Sequence, residues 1–190
     1  MATLQRKVSA PHSRIHTLRE PKQPEMRFNA VNTRSVRLAV SNDIESWLIL
    51  AREAEPLFGP MAEVPEFKDA LAEAIAGKQA FVSLRDSDEF PSLILGGIVI
   101  SKEENSIEWL AVSASARGFG IGGKLLETAL NHLNPARPVA VQTFDSSVPE
   151  GLTARHLYQK FGFEERQHMG PNPAGIDTVL MTKAPCSQPG

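Results

Sequence analysis

Between Arg117 and Lys124 the chain reads Arg-Gly-Phe-Gly-Ile-Gly-Gly-Lys, four glycines with a cation at each end. Successive glycines let the backbone approach a ligand and turn several N–H groups toward one point. The apolar spacing that follows (Ile121, Leu125, Leu126, Ala129, Leu130, Leu133) predicts a helix. Its first N–H groups and the positive end of its dipole add to the same anion cradle. Three phosphate sites fit the letters. Gly118, Gly120 and Gly123 spell the dinucleotide fingerprint G-x-G-x-x-G. Ser113 to Ala116 separate that run from its strand, however, and an antiparallel meander precedes the strand where a βαβ unit would open. Gly118 to Lys124 nearly spells the P-loop G-x-x-x-x-G-K, but Leu125 stands where magnesium coordination needs Ser or Thr. Arg117, Gly120 and Gly122 also fit the pattern [Q/R]-x-x-G-x-G/A.

Two further residues carry chemistry. Tyr158 is the only tyrosine. On spacing alone it is a core aromatic on a helical stripe with Ala154, Leu157 and Phe161. Glu108 is an acid inside an otherwise apolar strand. It reads either as a base whose pKa partial burial raises, or as a solvent-facing acid paired with Lys102. His12 and His16 stand four apart without a third ligand, and His132, His156 and His168 read as surface residues. No His–carboxylate cluster offers a metal site.

The elements that must position these groups follow from periodicity. Residues 35–40 alternate as a strand with Val36, Leu38 and Val40 on its buried face. Ser41-Asn42-Asp43 starts a helix with Ile44, Trp47, Leu48, Ala51, Ala54 and Phe58 in its stripe, stopped by Gly59-Pro60. Pro65 opens a second helix (Phe67, Leu71, Ala74, Ile75) that ends at Gly77. Residues 80–84 and 93–101 form a hairpin across Arg85–Glu89 and Pro91, the second strand too apolar to have a wet face. After a turn at Lys102–Asn105, residues 106–112 return, with Glu108, Leu110 and Val112 on one face and Ile107, Trp109 and Ala111 on the other. Past the loop and its helix come a strand at 139–144, a helix closed by Gly162, and a hairpin of residues 163–169 and 176–183. The order β-α-α-β-β-β-α-β-α-β-β implies a mixed sheet with helices on both faces.

Composition excludes whole classes. Of 190 residues, 42% are apolar and 22% charged, as in an ordinary globular chain. The longest uncharged apolar-rich run, Phe90 to Ser101, falls short of the roughly 20 residues a membrane helix needs. Cys186 is the only cysteine, so neither an internal disulfide nor a Cys-based zinc cage is possible. A net charge of −2 argues against nucleic-acid binding by bulk charge. That charge is uneven: residues 1–34 hold seven basic and two acidic side chains, and the remainder holds a net of −7. The expected organisation is a basic arm (1–34), one domain (35–184) and a frayed tail (185–190). The arm lacks acids before Glu20, which suits an organellar transit peptide, but its apolar residues are too sparse for an amphipathic helix. The apolar core of a secretory signal is missing.

Leu110-Ala111-Val112, the Arg117–Gly122 loop with Leu125-Leu126 behind it, and Ala154-Arg155-His156-Leu157-Tyr158-Gln159-Lys160-Phe161-Gly162-Phe163 stand in this order. Together they resemble the two main motifs of the GNAT superfamily of N-acetyltransferases, over about residues 35–183. The resemblance implies an α/β (α+β) fold with a mixed, mostly antiparallel sheet, splayed strands and helices on both faces. It implies acetyl-CoA as co-substrate, held by Leu110, Ala111, Val112, Arg117, Gly118, Gly120, Ile121, Gly122, Gly123 and Lys124, and no metal. Residues around Ala111 and Val112 would pair with the pantetheine arm, and the Val112 N–H would face the thioester carbonyl. Tyr158 becomes the general acid and Glu108 the base. Glu53 and Glu55 are expected on the acceptor side or on a solvated helix face. Leu57-Phe58-Gly59-Pro60-Met61 would wall the acceptor pocket, with His168 in reach of it. The family often has Asn seven residues before the tyrosine; this chain has Gly151, with Thr153 or Ser146 as substitutes. The expected activity is acetyl transfer to a primary amine of a small molecule or peptide, in the cytoplasm. A homodimer is compatible, and neither nucleic acid nor membrane is expected as a partner. Two other readings use the same residues: a silent acyl-CoA-binding or regulatory module, and a dinucleotide enzyme built on Gly118, Gly120 and Gly123.

Overall fold

The computed structural model of the protein describes residues 36–84 and 93–185. The basic arm with His12 and His16, the link Arg85–Glu89 with Pro91, and the tail with Cys186 lie outside the described residues. The strands are β1 (Arg37–Leu38), β2 (Ala80–Leu84), β3 (Ile94–Ser101), β4 (Ser106–Val112), β5 (Val139–Phe144), β6 (Phe163–Pro171) and β7 (Asp177–Lys183). They form one sheet in the order β1-β2-β3-β4-β5-β7-β6. Every neighbouring pair is antiparallel except β4 and β5. The helices are α1 (Ile44–Phe58), α2 (Pro65–Ala76), α3 (Ile121–His132) and α4 (Leu152–Lys160). Among the described residues, no helix is long and apolar enough to cross a membrane.

The apolar stripes sort the helices onto the two faces. Trp47, Leu50 and Ala51 of α1 and Leu71 and Ile75 of α2 bury themselves against Val82 and Trp109. Ile121, Leu125, Leu126 and Ala129 of α3, with Tyr158 of α4, pack on the opposite face against Phe81, Ile98, Ile107 and Val141. β3 lies between both cores, which is why its sequence carries no polar alternation. Its paired glycines let the helices close in. A Cβ on Gly97 would lie 2.9 Å from two ring atoms of Trp47, and one on Gly96 would lie 3.0 Å from Ile121 and Leu125.

Two expectations about facing are corrected. At the edge, only Arg37–Leu38 form a strand, and Leu38 and Val40 are 37% and 51% exposed, whereas Ala39 is buried. A two-residue edge strand is oriented by its polar anchor rather than by its apolar side chains. In β4 the partners run Val99↔Trp109 and then Ile100↔Ile107, so Glu108 is an extra residue without a partner on β3. This β-bulge flips the alternation: Ile107 joins Leu110 and Val112 on the α3 side, while Trp109 and Ala111 face α1.

The edge anchor is a two-pronged ion pair. Arg37 Nη1 and Nη2 donate to Asp43 Oδ2 and Oδ1 at 2.7 and 2.9 Å, and the Val40 N–H donates to Oδ2 at 2.8 Å. Burial alone would raise the Asp43 carboxyl, but the bonds from Arg37 and Val40 outweigh it and hold the group below its usual range. A lowered folded pKa means that this stabilisation is complete above the unfolded value of about 3.9 and is lost as pH falls through the folded value. Thermal melts of the wild type and Asp43→Asn should therefore differ by about 1 kcal/mol near neutral pH. The difference should shrink in acid; a gap constant down to strongly acidic pH contradicts this account.

Candidate active site

The parallel ladder between β4 and β5 contains only Ser106↔Ala140 and Ile107↔Val141. Both strands continue, β4 to Val112 and β5 to Phe144, but no further pairs form. The ladder stops where the Glu108 bulge bends β4, and bending away from a neighbour is what a bulge does to its strand. At the closed end Asn105, fully buried with φ +57°, clasps the two sides. Its side chain donates to Pro138 O at 2.9 Å and accepts from Asn134 N at 2.8 Å, and its carbonyl receives Ala140 N at 3.2 Å.

The opening leaves backbone groups of β4 without a strand partner. Gly96 stands opposite Val112, and the Ser113 N–H donates to Leu95 O at 2.9 Å just outside that pair. Gly96 and Val112 therefore form a non-hydrogen-bonded pair, and the Val112 N–H points away from β3, into the gap. By alternation the Leu110 N–H also faces the gap, while the Ala111 N–H faces Gly97 on β3. Of the backbone around Ala111 and Val112, the amides turned to the gap are therefore those of Leu110 and Val112.

The glycine loop adjoins this edge. Gly118 and Gly120 have φ of +82° and +78°, and no atom lies within 4 Å of where a Cβ would be. These glycines serve backbone conformation, not close packing. Gly120 caps α3, whose ladder starts with the Lys124 N–H donating to Gly120 O at 3.1 Å. The N–H groups of Ile121, Gly122 and Gly123 precede that bond and have no intrahelical acceptor. Gly122 sits close to α4: a Cβ there would come 3.2 Å from the end of the Leu157 side chain, a tight contact. Leu110, Ala111, Val112, Arg117, Gly118, Gly120, Ile121, Gly122 and Gly123 all line one groove of about 280 Å³, with Thr153 on its α4 side. Lys124 is exposed and lies outside these walls. The Arg117 side chain folds back, its Nε donating to Val112 O at 3.3 Å. β4, the loop, α3 and β5 do form a parallel βαβ unit, but the turn at Ala114–Ala116 separates the glycines from β4, and every other strand pair in the sheet is antiparallel, unlike the parallel sheet of a dinucleotide fold.

A second cavity of about 240 Å³ lies through the gap and brings Glu108 and Tyr158 together. Tyr158 is 4% exposed and packs edge-to-face on Phe163 at 5.5 Å. Burial pushes its phenol well above the ordinary tyrosine value, so it stays protonated. Glu108 is exposed and accepts a hydrogen bond from Ser106 Oγ, so of the two readings its position matches the solvent-facing acid, with Ser106 rather than Lys102 beside it. The bulge turns Glu108 out of the strand's buried alternation.

Other expected residues have different work. Glu53 Oε1 and Oε2 accept from Ser113 Oγ at 3.3 Å and the Ala114 N–H at 3.1 Å, fastening the turn between β4 and the glycine loop. Glu55 accepts the N–H groups of Met61 and Ala62, which lower its pKa and fix the α1–α2 loop. Of the segment 57–61, Phe58 lines both cavities and Leu57 the groove. The β6–β7 hairpin tip supplies walls that sequence reasoning missed. Asn172 and Pro173 line the second cavity, and Asn172 Nδ2 donates to Leu57 O at 2.7 Å. The only signal was a Gly/Pro/Asn-rich turn at 170–175, which marks a loop but not its destination.

His168 lies outside the cavity walls, with Nδ1 3.4 Å from Asp145 Oδ2. Contrary to the sequence reading, a His–carboxylate group does form: ligand atoms of Asp145, Glu165 and His168 lie within 4.8 Å of one another. Two carboxylates in it are already engaged, Asp145 by the Ser147 N–H and Glu165 by Arg155, each at 2.8 Å. Sheet pairing assembles this trio from distant residues, which no linear spacing reveals. Gly151 is also explained: a Cβ there would lie 2.3 Å from Phe144 Cβ, so no side chain fits.

With this geometry in place, residues 49–185 match the model of the acetyltransferase (GNAT) domain. No curated protein sequence matches the chain. Among solved structures, the ribosomal-protein-S18-alanine N-acetyltransferase from Escherichia coli is 16% identical with a TM-score of 0.59, covering 82% of this chain and 96% of its own. The NatC complex bound to Gag peptide and CoA contains a chain 19% identical with a TM-score of 0.59, covering 80% and 99%. A spermidine N-acetyltransferase mutant from Vibrio cholerae is 16% identical with a TM-score of 0.54, covering 79% and 94%. These likenesses establish a shared fold.

Because Tyr158 is the only tyrosine, tyrosinate absorbance reports it alone. In alkaline titration of the folded protein, ionisation should not appear near the ordinary value of about 10. Stability should fall as pH rises above that value, since only the unfolded chain releases the proton there. A normal titration with no loss of structure contradicts the buried, protonated phenol.

Proposed function

The chain belongs to the acetyltransferase (GNAT) family, and on that premise we propose that it moves the acetyl group of acetyl-CoA to a primary amine by direct attack, without a covalent enzyme intermediate. It is an acyltransferase. What supports the finer reading is one observation: the β4–β5 ladder ends at Ile107–Val141, and the edge it frees runs into a groove walled by the free amides of a helix start.

The residues fit such a co-substrate chemically. Three successive N–H groups at residues 121–123, the α3 dipole and Arg117 offer a diphosphate oriented donors and positive charge. The Leu110 and Val112 backbone groups offer an amide-bearing chain the pairing that β5 does not. When bound, acetyl-CoA supplies the activated thioester. The Val112 N–H then donates to the carbonyl oxygen as negative charge builds there, and loss of such a donor typically costs about 10²–10³ in rate. Tyr158, kept protonated by burial, holds the proton that the departing thiolate needs. Glu108, exposed at the cavity, receives one proton of the attacking ammonium and can return it to water; the second, shed by the nitrogen as the amide forms, restores the Tyr158 phenol. The acceptor is a small-molecule or peptide amine, and the net −7 of residues 35–190 draws cations toward it.

Thiol release from acetyl-CoA across a panel of amines tests the activity. With an accepted amine, Tyr158→Phe should lower turnover about 10²-fold or more while acetyl-CoA affinity holds. Unchanged turnover removes Tyr158 as the acid. Tight CoA binding with no amine acetylated indicates a silent module, and no CoA binding at all overturns the reading.

A further inference from the structure

The groove and the second cavity are separate spaces that share four walls: Phe58, Leu110, Phe144 and Ala154. The glycine loop lines only the groove, and Tyr158 and Glu108 line only the cavity. A thioester anchored by its diphosphate on one side and protonated from the other must react between these four apolar side chains. Whatever extends from the acyl carbon has to pass through them.

Phe144 is a wall with little freedom to retreat. It is 5% exposed, and its ring stands edge-on to Phe58, with centroids 5.3 Å apart at 67°. The backbone at Gly151 also closes on it, so that an added Cβ would sit 2.3 Å from Phe144 Cβ and 2.7 Å from Cγ. Its main chain is fixed as well. Phe144 pairs with Thr178 on β7, and its carbonyl accepts from Arg155 Nη1 at 3.3 Å. Arg155 is itself buried and held by Glu165 at 2.8 Å. Densely packed interiors resist even a methylene of extra volume.

We propose that Phe144, braced between Phe58 and Gly151, is a collar that limits the acyl donor to very short chains. Phe144 and Gly151 then form one unit: the missing side chain at 151 is the condition for the ring to stand where it does. An acetyl group places one methyl carbon within the collar, whereas a butyryl chain needs room for two further carbons. The collar rests on the acetyl-transfer reading and deepens it by naming the side chain that would hold the donor to acetyl.

The test needs no acceptor. Titration calorimetry of the full chain with CoA, acetyl-CoA and butyryl-CoA gives the three affinities. The wild type should bind CoA and acetyl-CoA within a few-fold of each other and butyryl-CoA at least ~10-fold more weakly, the range set by a misfitting methylene in an apolar site. Phe144→Ala should bring butyryl-CoA level with acetyl-CoA, each affinity being read relative to that of CoA for the same variant. Phe58→Ala opens the same collar from its other wall and serves where circular dichroism shows Phe144→Ala unfolded. Equal wild-type affinity for acetyl-CoA and butyryl-CoA overturns the collar, as does rejection of butyryl-CoA undiminished in the folded variants. In both of those outcomes CoA still binds and the proposed function stands. Failure of every thioester and of CoA to bind removes the proposed function, and the collar with it.

Discussion

A backbone N–H inside a sheet must find an acceptor, and β4 withholds two from its neighbour. The Leu110 and Val112 amides face a gap where a parallel partner would ordinarily stand. Leu110 and Val112 are half-exposed and their amides can turn to water, but a strand that forgoes its neighbour must still be held open by the rest of the fold. Glu108 enforces it from within the strand, as the extra residue that bends β4. Asn105 sets where it begins, by tying the turn before β4 to the chain entering β5. The same unpaired groups that are a liability to the empty sheet are what a linear amide-bearing ligand can complete.

Packing keeps the flanks of the gap rigid. On one side β1 to β4 are antiparallel, with α1 and α2 filling one face and α3 the other. On the other side β5, β7 and β6 are antiparallel, with α4 against them. Few links span the opening itself. Leu157 of α4 meets Gly122 at the start of α3, and the Phe58–Phe144 ring pair joins α1 to β5. The Asn172 amide ties the β6–β7 hairpin to the last turn of α1. Ligand-facing residues therefore sit on elements whose own positions are decided by core packing elsewhere, which is how a site gains fixed geometry. The loop segment is steadied in the same way, by Glu53 reaching from α1 to the turn before it.

The parts of this arrangement that are local in sequence were legible there. The glycine loop, the stripe of α3, the bounds of β2 and β4 and the helix-terminal Gly59 and Gly77 all follow from neighbouring residue types. What was not legible depends on distant partners. Alternation along β4 assumes one partner per residue, and a single bulge reverses which face Ile107 occupies. The outward turn of Leu38 and Val40 depends on Asp43 capturing Arg37. Gly151 looked like a lost side chain until Phe144 was seen to fill its space. Glu53, Asn172 and the trio of Asp145, Glu165 and His168 acquire their partners only through sheet pairing and helix packing. Residue type suggested chemistry in each case, but the neighbour that decides its use lies outside the local periodicity, six residues away for Arg37 and Asp43 and 115 for Leu57 and Asn172.

Residue-resolved amide exchange with and without CoA measures the claim on which everything else rests. The free protein should exchange quickly at Leu110, Val112 and residues 121–123, with Ala111 protected by its bond to β3. Saturating CoA should slow the first group and leave Ala111 as it was. Full protection of Leu110 and Val112 in the free protein, or no change at these amides when CoA is bound, would contradict an opened strand edge as the seat of the chemistry.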